Sequence, residues 1–309
     1  MSKLERHTLF IEDDAMPVPK VSAQRKQSNT GIVLGEKLGQ KGKRKLPAPS
    51  TQPVAKRLPI KQLSLKQTDT DKVVPVVSGS PWSHYQKRYT VKHWCLFAVG
   101  TSKTPQKTLC MIRSLSTAKR DEKISKMSSL FHPNIVRSME FYISEDDDTF
   151  IVSEWMETSL LHVCRVPSYP SEPQLSSILY QILSGLEYLI TQGLVHENVS
   201  CGGILINATG DCRISDIEFC RQDGSVNKLL DSFSRLTMML MDKNKSRDDS
   251  MGLSRLDQWS DQAVEMFTLM SSQASLKKLA GHPFWNMRDK EELKWLVQLT
   301  LITAHYNKA

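Results

Sequence analysis

No glycine occurs between Ser80 and Val99, no Cys-x-x-Cys pair occurs anywhere, and no apolar run reaches the roughly 18 residues of a membrane-spanning helix. The last absence predicts that no segment crosses a membrane. The first residues, Met1-Ser-Lys-Leu-Glu-Arg-His, lack the apolar stretch of a secretory leader. Without that leader, Cys95, Cys110, Cys164, Cys201, Cys212 and Cys220 are expected to be free thiols in a reducing, intracellular compartment, cytoplasmic or nuclear. Aromatic residues are absent from residues 1–80 except for Phe10, while seven of the fourteen prolines fall there. So few apolar side chains cannot offset the cost of ordering a backbone, which predicts a disordered segment.

Charge is as unevenly spread. Residues 1–80 carry 15 basic and 7 acidic residues, a net of +8, so the remaining 26 of each sign cancel. The whole positive excess lies in the tail, and the rest carries no signature of a nucleic-acid-binding domain. Lys43-Arg44-Lys45 and Lys56-Arg57, ten residues apart, are similar to a bipartite nuclear address, or else are clusters in a basic linker.

Order is expected from about Trp82. Residues 89–99 and 107–113 are rich in β-branched and aromatic residues and flank Gly100-Thr-Ser-Lys-Thr-Pro105, which predicts a hairpin. Asp121–Phe131, with Ile124, Met127, Leu130 and Phe131 at helical spacing, predicts a helix that ends at His132-Pro133. Phe150–Val152 predicts another strand, followed by Glu154-Trp155-Met156. Leu175, Ile178, Leu179, Ile182, Leu186, Leu189 and Ile190 make one face of a long helix stopped by Gly193. Strands are predicted at Ile204–Ile206 and Cys212–Ser215, joined by a turn through Asn207 and Asp211. Helices are predicted at Ala263 to Met270 and at Leu293 to Thr300.

The stretch from His196-Glu197-Asn198 to Asp216 resembles the catalytic segment of eukaryotic protein kinases, in which His-Arg-Asp, four residues and Asn precede two strands and Asp-Phe-Gly. The resemblance runs over roughly residues 90–287. It implies an α+β, two-lobed protein-kinase-like fold, with a tail at 1–80, a β-rich N-lobe at about 81–156 and a helical C-lobe at about 157–309. The spacing is kept and the chemistry is not. Asn198 stands where the resemblance implies a catalytic Asp, and an amide cannot take a proton as a carboxylate does. Ser200 replaces a lysine that steadies the transferred phosphate, and Gly203 replaces the Asn that binds a second metal ion. Arg113 takes the phosphate-binding lysine position and Met111 that of a small alanine beside the adenine. Lys123 takes the place of the partner glutamate, so the implied pair would repel; the plain alternative is that both are solvated cations. Glu122 is rotated about 100° from that face. Glu154 and Met156 occupy the hinge.

Asp216 alone keeps its identity, either as a weak metal ligand or as an ordinary turn aspartate. By the same resemblance Asp231-Ser-Phe-Ser matches the start of a C-lobe helix; Asp231 comes only fifteen positions after Asp216, and no Ala-Pro-Glu occurs between them. Gln273 stands where the arginine that pairs with that glutamate would be, and Glu197 replaces the arginine that anchors a phosphorylated activation loop. The expectation is therefore a pseudokinase that binds a protein partner, for example another kinase. ATP and Mg²⁺ would bind weakly if at all, so no cofactor is expected. Two alternatives stand beside it: an unorthodox active Ser/Thr kinase, and a nucleic-acid or chromatin factor acting through residues 1–80.

Overall fold

The computed structural model describes residues 9–11 and 74–306. The N-terminal half is built on β1 (Leu9–Ile11), β2 (Val76–Ser78), β3 (Tyr85–Lys92), β4 (Leu96–Ser102) and β5 (Leu109–Leu115). Helix α1 (Arg120–Ser128), β6 (Ser138–Ile143) and β7 (Thr149–Glu154) complete it. The seven strands form one sheet in the order β1-β3-β4-β5-β7-β6-β2, antiparallel except where β2 runs beside β6. Alternation along β5 decides what faces where. Cys110 and Ile112 pack with Tyr85, Tyr142 and Val152 on one face, and Met111 packs with Phe97 and Val99 on the other.

The C-terminal half begins with β8 (Thr158–Ser159) and α2 (Leu160–Val163), then α3 (Glu172–Thr191). A capping box between Ser171 and Gln174 starts α3, and ten of its residues are buried, seven of them Leu or Ile. Gly193, at φ 69°, lets the chain leave the helix in the left-handed region. Next come β9 (Ile204–Ile206) and β10 (Cys212–Ile214), with β8, β9 and β10 forming a second sheet. Helices α4 (Val226–Met241), α5 (Asp261–Ser271), α6 (Leu276–Ala280) and α7 (Glu292–Tyr306) follow. The largest apolar core runs through α3, α4, α5 and α7 and takes in Phe284 and Trp285. This is the small β-rich lobe and helical lobe that the sequence implied.

Three local expectations change. Residues 89–99 are not one strand: the chain turns at His93-Trp94-Cys95, and Val91 pairs with Phe97 across the hairpin. That turn carries no glycine, proline or asparagine, so nothing in the sequence marked it. Phe131, assigned to the buried helix face, is 44% exposed because α1 ends at Ser128. Order also starts before Trp82, since Val74 is buried and Phe141 N–H donates to the Pro75 carbonyl at 2.9 Å. Apart from β1 and residues 74–80, the expected tail, with both basic clusters, lies outside the described residues.

Candidate functional site: the cleft between the sheet and the helices

Arg113 projects from the cleft face of β5 and meets Glu218 in a short helical turn at Ile217–Phe219 just after β10. The guanidinium holds the carboxylate with two bonds, Nη1 to Oε1 at 2.5 Å and Nη2 to Oε2 at 2.9 Å. Both side chains are withdrawn from water, at 17% and 4% exposure. Burial would raise the Glu218 pKa, but the Arg113 bonds and charge outweigh it and hold it below the ordinary value. The expected clash with Lys123 does not arise. Lys123 Nζ instead donates to the Ser116 carbonyl at 3.2 Å, and Glu122 pairs with Lys119 at the surface. Arg113 is thus a buried, paired group and not a solvated cation.

Asp216 lies beside this pair with its backbone at φ 60°, in the left-handed region. Its pKa is raised, first by burial and then by the neighbouring Glu218 charge, against the pull of Arg113. A Cβ placed on Gly203 would come within 3.3 Å of Asp216 Oδ2, so the carboxylate already fills the space a larger residue there would need. A carboxyl whose folded pKa is raised favours folding most when protonated. Its charge therefore opposes folding above the unfolded value of 3.8 and increasingly so up to the raised one. Asp216→Asn is expected to raise the melting temperature at pH 7, and the advantage should shrink as the pH falls toward 4. A variant that melts lower at pH 7 would contradict this.

The roof of the cleft is the β3–β4 turn. His93 Nε2 bonds Ser159 Oγ at 2.8 Å, and its ring stacks on His162 at 3.8 Å, which ties the turn to β8 and α2. Trp94 stacks near Phe97 at 4.8 Å, and a Cβ on Gly202 would lie 3.2 Å from Trp94 Cβ. Met111 and Met156 join Phe97, Val99 and Leu205 in one buried cluster. The cavity lined by Trp94, Phe97, Met111, Arg113 and Asp216 has a volume of about 20 Å³. That holds about one water molecule, whereas sites for drug-sized ligands run to roughly 300–1,000 Å³. At that volume the space between Arg113 and the Trp94 turn is too small for a nucleoside triphosphate.

The loop after α3 is equally altered. Asn198 Oδ1 accepts from the Arg247 guanidinium, which arrives from the segment between α4 and α5. Ser200 Oγ accepts from Gly203 N–H at 3.2 Å, and buried His196 bonds the Ser215 carbonyl through Nε2 at 3.3 Å. Glu154 Oε1 accepts from Arg137 N–H at 2.7 Å and from the Arg213 guanidinium. Glu197 accepts from Ser225 N–H at 2.6 Å, at the cap of α4, with Lys228 Nζ 3.8 Å away. The chain takes a short path to that cap: Val195 and Arg221 exchange two backbone bonds of 2.8 and 3.0 Å. Beside that cap an open depression of about 620 Å³ is lined by Glu197, Asp231, Arg247 and Gln273.

Residues 89–244 match the protein kinase domain family, half of the chain. The chain belongs to the protein kinase family. Its relatives include the serine/threonine-protein kinase CST20 of Candida albicans, 30% identical over 117 residues, which are 38% of this chain and 9% of that protein. The serine/threonine-protein kinase STE20 of Saccharomyces cerevisiae is 26% identical over 164 residues, 53% of this chain and 16% of that protein. The serine/threonine-protein kinase SSN3 of Coccidioides immitis is 36% identical over 104 residues, 32% of this chain and 22% of that protein. The chain thus spans less than a quarter of the length of these relatives. Within this kinase domain, the sequence singled out Arg113, Met111, Met156, Asp216 and Gly203, and the fold brings all five to one cleft. Lys123 stays outside it. Sequence reasoning missed Glu218 as the partner of Arg113 and Arg247 as the cover of Asn198. An extra acid two residues after Asp216 was the only signal for the first.

Proposed function

We propose that this kinase-family domain has lost phosphoryl transfer and acts by holding a protein partner. The closed cleft carries the proposal. Arg113 and Glu218 neutralise each other where a nucleotide's phosphates would need a free cation, and Trp94, Met111 and Met156 fill the adjoining space. Asn198 offers no proton acceptor, and removing a general base typically costs 10²–10⁴-fold in rate. Thermal melting with ATP, with and without Mg²⁺, is the test. A site filled at 100 times its dissociation constant would add about 2.7 kcal/mol, a readily measured rise. No rise is expected, and a large Mg²⁺-dependent one would overturn the closed cleft.

A second reading, an unorthodox Ser/Thr kinase, has the names of the relatives and the retained Asp216 in its favour. It requires radiolabel transfer from ATP to a peptide that Asp216→Ala abolishes. Equal background from both proteins would end it. A role for residues 1–80 on nucleic acid requires binding that weakens steeply with salt and vanishes when they are removed.

A further inference from the structure

Two cysteines from separate elements meet sulfur to sulfur. Cys164 follows the last residue of α2, and Cys201 lies in the loop that carries Asn198 and Ser200. Their Sγ atoms are 3.6 Å apart across a sequence separation of 37. The two backbones are already docked, since Leu161 N–H donates to the Cys201 carbonyl at 2.8 Å. A disulfide needs sulfurs at about 2.05 Å, an approach that small rotations of two side chains can supply. We propose that Cys164 and Cys201 are a redox pair that closes into a reversible disulfide when the protein meets a hydroperoxide.

The surroundings set the order of events. Cys164 is half-buried and Cys201 is 3% exposed. Lys243, whose Nζ donates to the Val166 and Ser168 carbonyls, lies near Cys164, and of the two sulfurs Cys164 is the one a peroxide can reach. Cys164 is therefore the attacking sulfur. Its thiolate forms an S–O bond with one peroxide oxygen as the O–O bond breaks, and the departing hydroxide takes up the thiol proton as water. The Cys201 thiol loses its proton and attacks the sulfenic sulfur. The S–S bond forms, the S–O bond breaks, and hydroxide leaves with that proton as a second water. Two electrons pass from the two sulfurs to the peroxide. The Cys201 pKa is pushed well above 9, first by its hydrogen bond with Cys164 and then by burial, which keeps it a thiol until Cys164 reacts. The remaining cysteines are less apt: burial pushes Cys95 up to about 11, Cys110 and Cys220 up to about 12, and Cys212 higher still. Closure would staple α2 to the loop lining a cavity of about 370 Å³ at Cys201, Gly202 and Gly203.

The test treats the full chain with hydrogen peroxide in slight excess, blocks the remaining thiols, and digests without reductant. A protease that cuts after acidic residues separates Cys201 from Cys212 at Asp211. The expected product joins the Cys164 and Cys201 peptides, is two hydrogens lighter than their sum, and disappears with dithiothreitol. The oxidised protein should also melt about 5 °C higher or more, since the link closes a long loop. Cys164→Ser, which should melt within a degree or two of the reduced parent, is expected to show neither effect. Sulfinic acid on Cys164 with Cys201 still open to alkylation would overturn the proposal. So would a link to any other cysteine, or two unmodified thiols.

Discussion

Glu218→Ala is expected to destabilise the folded protein by about 3–5 kcal/mol, because it strands the Arg113 guanidinium in a nearly dry cleft. At roughly 2–4 °C per kcal/mol for a domain of this size, the melting temperature should drop by about 10 °C. The size of the loss comes from the abandoned charge and not from the net worth of the pair. Arg113→Met combined with Glu218→Leu should therefore recover most of it, since replacing both members of a buried pair by apolar groups is often neutral or better. Urea midpoints for the two single variants and the double variant give the coupling directly. The pH dependence has a defined sign. Glu218 titrates below its unfolded value of 4.5, so its contribution is complete above that pH and is lost as the pH falls through the lower folded value. The gap between parent and Glu218→Ala should be flat from pH 6 to 8 and narrow below about pH 4.5. A single variant as stable as the parent at pH 7 would mean that the cleft is not closed by this pair.

How much of this was legible depended on distance along the chain. Helix α3 announced itself through seven apolar residues at helical spacing, and its buried set includes six of them. Strands β9 and β10 were visible because a run of apolar residues on each side frames an asparagine-glycine turn. Gly210 there has φ 80°, and a Cβ would come within 2.9 Å of the Lys290 carbonyl. Strand β6 was not seen, since Ser-Met-Glu-Phe-Tyr-Ile mixes polar and apolar residues without clean alternation. In the site, positions that depend on local spacing were found and partners that depend on folding were not. Arg113 and Glu218 are separated by 105 residues, and Asn198 and Arg247 by 49. Nothing in a single sequence measures those separations in space. Lys123 does lie on α1, but its ammonium bonds the Ser116 carbonyl and makes no bond to Arg113.

Trp285→Ala should cost about 3–5 kcal/mol, as truncation of a buried tryptophan usually does, whereas Asn198→Ala should cost under about 1 kcal/mol. Trp285 is 3% exposed, its Nε1–H donates to the Leu279 carbonyl at 2.6 Å, and its ring lies 5.9 Å from Tyr180 and 5.6 Å from Phe284. Truncation would open a void beside α3 and leave the Leu279 carbonyl unpaired in the core. Asn198 is exposed and holds one bond, to a surface arginine, so water can replace it. In a working kinase the position of Asn198 would dominate activity while contributing little to stability. Here, with Arg113 held by Glu218, Asn198→Ala and Asn198→Asp should both leave phosphate transfer at the background of a no-enzyme control. Denaturation midpoints and radiolabel transfer on the same three variants separate the two roles. A domain in which Asn198→Asp alone produced phosphopeptide would have an accessible nucleotide site, and the closed cleft would not describe it in solution.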